Sequence, residues 1–498
     1  MLKYHTSKRS DLTAQRPQRH KVPTSKRSAL KGTKCRPHTS LLITSFPIFA
    51  RMLSDGMKYL ETRLMFGMVP GLDSTRMICD ALGNPERKFK SIHVVGTNGK
   101  GSTSFYLAGI LQAHGLRTGL YTSPHLVSLR ERIRVDDEPI SEADLDRLLL
   151  QVKQAAESVS LAQVALGKPA LEPTFFEVLT VAAFLCYAEK GVDVAVLEAG
   201  MGGRLDSTAV AGGDMAIVTS IGLEHTEVLG PTESAILREK MGVLGVPGET
   251  TGVVGDALGK VFVLGGLGPD LLEEAREYAT ALGASVVVPE IRTDVKLPNL
   301  GHHYVENSSL SLKAAELFLN APDRAGKRYD DALSIKSLAT RSWAGRMQTL
   351  TGSDGTVQVI LDGAHNSHAV RRLVQTLGEY YPGQKFHCLF GALKDKDLHE
   401  MLRLMMPHVS QWHVTRTPYT RFRELSDLQT EIESLGGLVA SAGEMSETYI
   451  QGILDASKGP LLITGSLYLI GSVVQILKND FDGLKFFKKL APSVNENH

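Results

Sequence analysis

The sequence predicts an α/β protein built on mostly parallel sheets, and three observations carry that prediction. From Gly56 onward, short β-branched runs alternate with helical stretches, the pattern of a sheet covered by helices. One run, Ile92–Val95, breaks into Gly96-Thr97-Asn98-Gly99-Lys100-Gly101-Ser102 and then into a helical stretch, Thr103–His114. Strand after strand ends in a polar or glycine-rich loop, at Gly96, Ser123, Glu198 and Ser220. Ligands of open α/β sheets bind outside the carboxyl ends of the strands, so these loops are expected to share one site.

Residues 1–51 stand apart from this pattern. They are rich in Lys, Arg, Ser and Thr, hold Asp11 as their only acid and show no periodicity, the composition of a disordered extension. Three readings stay open. The tract resembles an organellar transit peptide, without the amphipathic helix. An over-extended reading frame is equally compatible, since Met52 and Met57 stand just before the patterned part. A basic nucleic-acid-binding tail is disfavoured, because Tyr4 is the only aromatic residue in the charged stretch.

Apolar spacing predicts helices at Met57–Arg63, Ser74–Leu82, Ser102–His114, Glu142–Val159 and Phe175–Lys190. Strands are expected at Ile92–Val95, Thr118–Tyr121, Val192–Glu198 and Met215–Thr219, then an α/β stretch over Gly248–Pro289 and a helix over Glu306–Asn320. Ala321–Arg328, with proline and glycine among charges, reads as a linker. Beyond it the alternation resumes, with strands at Val357–Leu361, Lys385–Phe390, Gln411–Val414 and Pro460–Ile463. The helices between them are Ser367–Tyr380, Asp397–Met406, Ser426–Leu435 and Glu447–Ala456. The expected division is an extension over residues 1–51, a nucleotide-binding α/β domain over 52–321 and a smaller α/β domain over 322–498.

The order strand, glycine turn, helix makes Gly96–Ser102 a phosphate cradle. Backbone N–H groups and the positive end of the helix dipole converge there. Lys100 would add a cation for the β/γ-phosphates and Ser102 a hydroxyl for Mg²⁺. Gly101 separates lysine from serine, so the match to a generic P-loop is imperfect; the bland alternative is a tight turn that binds nothing. In Glu198-Ala199-Gly200-Met201-Gly202-Gly203-Arg204-Leu205-Asp206, three glycines allow close backbone approach and Arg204 suits a carboxylate or phosphate. A local Arg204–Asp206 ion pair is the alternative. Glu177 sits early in a mostly buried helix, where it either stabilises the N-terminus or ligates a cation. His225 follows a strand end, and with Ser102 and Glu177 would complete a small Mg²⁺ shell. In the second half, Asp362 and His365 lie at a strand end beside Asn366, whose competing role is a helix cap, and Gly345-Arg346 suits a nucleotide phosphate.

Composition removes other classes. With 498 residues the chain is long enough for more than one core, and its net charge of +1 leaves no overall electrostatic case for a nucleic-acid partner. Cys35, Cys79, Cys186 and Cys388 form no Cys/His cluster, which argues against zinc or a disulfide framework and for a reducing compartment. No apolar run approaches the roughly 18 residues of a membrane span.

In combination and in this order, these segments resemble the folylpolyglutamate synthase and dihydrofolate synthase branch of the Mur ligase superfamily. The resemblance runs from about Met57 to Ile476. It is carried by GTNGKGS at Gly96–Ser102, YTSPHLVSLRERIRV at Tyr121–Val135, TFFE at Thr174–Glu177 and EAGMGGRLDST at Glu198–Thr208. TSIGLEHTEVLG at Thr219–Gly230, REKMGV at Arg238–Val243, WAGRMQ at Trp343–Gln348, DGAHN at Asp362–Asn366, FGALKDKD at Phe390–Asp397 and TGSLYLIG at Thr464–Gly471 complete it.

The resemblance implies an N-terminal P-loop domain and a C-terminal Rossmann-like domain with ATP between them. It implies an amide ligase that adds L-glutamate to a folate, or to dihydropteroate, through an acyl phosphate. Lys100, Lys240 and His225 are the implied catalytic residues. Gly96, Thr97, Asn98, Gly99, Lys100, Gly101, Ser102, Asn307, Arg346, Asp362 and His365 would hold the nucleotide. Ser102, Glu177 and His225 would hold magnesium, and Lys240, in the place of a lysine the family carbamylates, a second ion. Ser123, Pro124, His125, Arg204 and Asp206 are the implied substrate contacts, with Arg130 and Arg132 either anion contacts or solvated charges. Small-molecule substrates, a monomer and a cytoplasmic location are expected, or a mitochondrial one if residues 1–51 are a transit peptide. Ala209 in place of asparagine, Glu224 in place of aspartate, Met241 in place of a small residue and a short stretch between Pro289 and Leu297 depart from the family pattern.

Overall fold

The computed structural model describes residues 53–63, 71–248, 259–322, 328–352, 355–417, 419, 421–457, 459–488 and 490. The expected extension 1–51, with part of the Gly248–Pro289 stretch and most of the Ala321–Arg328 linker, lies outside the described residues.

The first sheet holds β1 (Lys90–Val95), β2 (Thr118–Tyr121), β3 (Ile133–Val135), β4 (Glu138–Pro139), β5 (Val194–Glu198), β6 (Met215–Val218), β7 (Val261–Leu264) and β8 (Ser285–Val287). Their order is β4-β3-β2-β5-β1-β6-β7-β8. All neighbours from β2 to β8 are parallel, and β3 and β4 form an antiparallel edge. The alternation in β1 explains its central place. Ile92 and Val94 pack under helix Lys100–Ala113, while Val95 packs on the other face with Leu237 and Phe262. A strand apolar on both faces is stable only when both are covered. β5 and β6 flank β1, so Glu198, Gly96 and Thr219 emerge at one edge.

The second sheet holds β9 (Gln348–Thr351), β10 (Val357–Leu361), β11 (Phe386–Phe390), β12 (Val409–Arg416), β13 (Val439–Glu444) and β14 (Leu461–Thr464), in the order β13-β12-β11-β14-β10-β9. Only β9 runs antiparallel to its neighbour. The α/β expectation therefore holds in both halves. β13 alternates half-buried and exposed residues at the sheet edge, and its Ala, Ser and Gly content gave no apolar run to read. Helix Leu467–Leu477 went unread inside the TGSLYLIG motif for the opposite reason, being apolar almost throughout.

The connection between the sheets differs from the expected boundary at 321. Tyr329, Ile335, Leu338 and Trp343 all pack in the core of the first sheet. Arg341 reaches back with both terminal nitrogens on Asp137, at 2.5 and 2.6 Å, and lies over the Phe105 ring in a slot that Gly109 leaves open. The Asn299 carboxamide then accepts from Trp343 N at 2.9 Å and donates to the carbonyls of Trp343 and Arg346. By packing, the first half ends at Trp343. Between Val287 and His302 no strand is described, in line with the short stretch noted there. Among the described residues no helix is long and apolar enough to cross a membrane.

Candidate active site

A cleft of about 310 Å³ lies where the strand ends of both sheets meet. Thr97–Ser102, Ser123, Pro124, Glu198, Ser220, Glu224 and His225 line it from one side; Arg346, Asp362, His365, Asn366 and His368 line it from the other. A larger hollow of about 590 Å³, lined by Leu82, Lys88, Gln151 and Glu189, carries none of the motif residues. The strand-end cleft is where the chemistry is.

The phosphate loop is held by its neighbours' side chains. Thr97 N donates to Ser220 O at 2.8 Å, and the Thr97 hydroxyl exchanges hydrogen bonds with the backbone of Gly222, both at 3.1 Å. Asn98 N donates to the Ser220 hydroxyl, while the Thr219 hydroxyl donates to Asn98 O. Gly99 has φ of +89°, and a Cβ there would stand 2.5 Å from Asn307 Oδ1, so glycine is required twice over. Helix Lys100–Ala113 begins at that residue, with its first-turn N–H groups free of side-chain caps. Lys100 Nζ folds over the loop onto Gly96 O and Thr97 O at 2.7 and 3.2 Å and, among the described residues, has no carboxylate partner. Ser102 is buried in the first turn of the same helix.

The expected ligand Glu177 lies elsewhere. Its carboxylate accepts from Thr174 N at 2.7 Å and its own N donates to the Thr174 hydroxyl at 3.3 Å, a closed capping box, and it does not line the cleft. The carboxylate facing the loop is Glu198, at the end of β5. It is 4% exposed, accepts from Ser123 N at 3.0 Å, and its Oε2 stands 3.4 Å from where a Cβ on Gly101 would be. Burial pushes its pKa up to about 6, against the pull of Lys100. Two signals separated these glutamates in the sequence: the Thr-x-x-Glu spacing of a cap before Glu177, and the position of Glu198 as the last residue of a buried strand.

His225 takes a left-handed conformation with φ of +45° at the cleft, and burial lowers its pKa. Lys240 is 1% exposed and donates to Gly96 O and Glu224 Oε1, both at 2.8 Å. Burial, then the Lys100 charge, brings its pKa down to about 8. Burial alone would raise Glu224, but Lys100 and Lys240 outweigh it and hold its pKa low. Asn307 lines the cleft from the first half, beside Gly99, and Arg346, Asp362 and His365 line it from the second. Asp362 accepts from Met347 N and Ala364 N, both at 2.9 Å, and burial raises its pKa despite Arg346. His365 Nδ1 donates to Gly363 O, and burial lowers its pKa to about 4, leaving a neutral ring.

Three expected substrate contacts are placed differently. Arg204 pairs with Glu239 at 2.9 Å, not with Asp206, and does not line the cleft. Asp206 braces its own loop, accepting from the backbone of Gly200, Met201 and Thr208 and from the Thr208 hydroxyl. His125 accepts from Arg132 Nε at 3.0 Å and does not line the cleft, whereas Ser123 and Pro124 do. Ala209 and Met241 are buried in the first core.

Among the described residues no group of three or more His, Cys, Asp or Glu side chains is gathered for a metal. One buried carboxylate, one hydroxyl and one imidazole around a phosphate cradle nonetheless suit magnesium, which keeps waters and takes phosphate oxygens as ligands. Residues 345–467 match the glutamate ligase domain of Mur ligases. The chain is 32% identical to the dihydrofolate synthase/folylpolyglutamate synthase of Bacillus subtilis (strain 168), over 85% of this chain and 99% of that protein. It superposes on Mycobacterium tuberculosis folylpolyglutamate synthase complexed with ADP and AMPPCP with a TM-score of 0.73 at 27% identity, covering 84% of this chain and 97% of the other. A bifunctional folylpolyglutamate synthase/dihydrofolate synthase with Mn, AMPPNP and L-glutamate bound matches with a TM-score of 0.65 at 29% identity, over 84% and 97%. Sequence identity over nearly the whole length of a relative and superposition on solved family members agree: this chain belongs to the dihydrofolate synthase/folylpolyglutamate synthase family of Mur-type ligases.

Proposed function

We propose that the protein is an ATP-dependent ligase that joins L-glutamate to the carboxylate of a folate and also of dihydropteroate. The observation that carries this is the composition of the cleft: a glycine loop with Lys100 on one wall, Arg346, Asp362 and His365 on the other, in one chain. A carboxylate is a poor electrophile. Its oxygen therefore attacks the γ-phosphorus of ATP, ADP leaves, and the glutamate amine then attacks the acyl carbon of the mixed anhydride to expel phosphate. Lys100 and the loop N–H groups neutralise the charge that grows on the transferring phosphoryl group. Arg346 grips from the opposite wall, so that the two halves together exclude the water that would hydrolyse the acyl phosphate. Bound magnesium would supply further charge neutralisation, held by Ser102, Glu198 and His225.

Lys240 is read as the site of carbamylation. With its pKa near 8 a fraction of the amine is neutral, the form that adds CO₂. The carbamate would turn the partner of Glu224 into a second anion beside it, and that pair would supply negative charge for a second cation. Both walls of the cleft coming from one chain supports a monomer. The described cysteines, Cys79, Cys186 and Cys388, are free and buried, which supports the cytoplasm or another reducing compartment.

The test offers the purified chain ATP, Mg²⁺ and L-glutamate with dihydropteroate or tetrahydrofolate and weighs the pterin products. Glutamate added to both is expected. Addition to dihydropteroate alone makes it a dihydrofolate synthase only, and no glutamate-dependent product with either overturns the reading.

A further inference from the structure

The tip of the phosphate loop is tied to the second half of the molecule by a contact that the proposed chemistry does not use. The Asn98 side-chain Nδ2 stands 2.8 Å from His368 Nδ1, and its Oδ1 stands 3.5 Å from Asn366 Nδ2. An amide nitrogen only donates, so His368 Nδ1 is the acceptor and its ring proton sits on Nε2. The backbone of the same residue is fixed on the other side, with N on the Ser220 hydroxyl and O receiving the Thr219 hydroxyl. Asn366 in turn caps helix Ser367–Tyr380, accepting from Ala369 N at 2.8 Å. One residue in the middle of the phosphate cradle thus spans from the end of β6 to the first turn of a helix in the other half. His368 lines the cleft and meets the cradle through the Asn98 side chain.

We propose that His368 is a positioning residue for the ligase reaction: by accepting a hydrogen bond from Asn98 it couples the shape of the phosphate loop to the seating of the second half over the cleft. The proposal rests on the reading above that the cleft forms an acyl phosphate. A seam that closes only when the loop is correctly wrapped around phosphate keeps water from that intermediate. A seam without the contact lets the nucleotide bind and react while the intermediate leaks to water.

The experiment measures phosphate released per amide bond formed, together with kcat and KM for ATP, in the full chain. The wild type is expected to release one phosphate per amide. His368→Ala is expected to raise that ratio about two- to fivefold and to lower the kcat for amide formation, with KM for ATP within about twofold, since one exposed hydrogen bond is small. His368→Asn, whose Oδ1 replaces the Nδ1 acceptor, is expected to restore both. Asn98→Ala combined with His368→Ala should raise the ratio no further than Asn98→Ala alone. An unchanged ratio and kcat in His368→Ala overturns the proposal, as does equal uncoupling in His368→Asn. If the wild type forms no glutamate-dependent product, the reaction itself is misread and the proposal falls with it; a productive wild type with indifferent variants overturns the contact alone.

Discussion

The two halves face the cleft in opposite ways. On the first, the phosphate loop offers backbone amides and one mobile cation, with Glu198 and His225 beside it, and other side chains serve to hold that backbone: Thr97 against Gly222, Thr219 and Ser220 against Asn98. On the second, the ligand-facing groups are ionisable side chains, and backbone serves to hold them: Met347 N and Ala364 N on Asp362, Gly363 O on His365. A backbone site depends on residues that leave room, and a side-chain site on residues that are present. Mutations should therefore act differently on the two walls.

The sharpest test of the first wall is Lys100→Ala. Among the described residues its ammonium donates to loop carbonyls alone, so turnover should fall by about 10²–10³-fold, while the thermal transition of the ligand-free protein stays in place. Retained turnover would remove the phosphate-cradle assignment. Next comes the pair of glutamates. Glu198→Gln should cost turnover nearly as much, yet stabilise the empty protein. A carboxyl whose folded pKa is raised to about 6 from 4.5 contributes stability that is complete below about pH 4.5 and lost as pH rises through 6. At pH 8 that loss is about 2 kcal/mol, which the amide removes. For the same reason, wild-type activity should fall as pH drops through about 6, a limb that denaturation curves at each pH must show to be separate from unfolding. Glu177→Ala should do the reverse, losing about 1 kcal/mol of stability with the hydrogen bond from Thr174 N and keeping its turnover within about threefold in a steady-state assay. If the two variants exchange behaviours, the metal belongs with Glu177 after all.

Smaller effects sharpen the second-order reading of the walls. Depleting bicarbonate should slow turnover by roughly several-fold, reversibly, through Lys240; mass spectrometry of the intact protein with and without ¹³C-bicarbonate trapping reads the modification directly. Arg204→Ala should change turnover by less than about twofold, because its ion pair with Glu239 is half exposed. A large rise in KM for folate would return Arg204 to the site.

The same contrast explains what could be read in advance. Gly96, Gly99 and Lys100 were legible because a chain must bend there, and a bend in that place selects glycine on steric grounds alone. Helix Phe175–Lys190 and strand Val357–Leu361 were legible because burial imposes a period. Glu177 and Arg204 misled because a charge in a buried or glycine-rich segment says that a partner exists, but not which one: Thr174 for the first, Glu239 for the second. The boundary at 321 misled because proline, glycine and charges mark where a chain turns, whereas the packing of Leu338 and Trp343 marks where it belongs.

The bolt of Arg341 on Asp137 and the clamp of Asn299 have a geometric consequence. They hold the chain on the first half up to Trp343, and the second sheet starts at Gln348, so the polypeptide crosses between the halves over Ala344–Met347. Any rotation of one half against the other has its axle there, and Arg346 sits on it. Points on an axle sweep the shortest arcs, and those away from it longer ones. An arginine so placed would move least of the side chains on its wall.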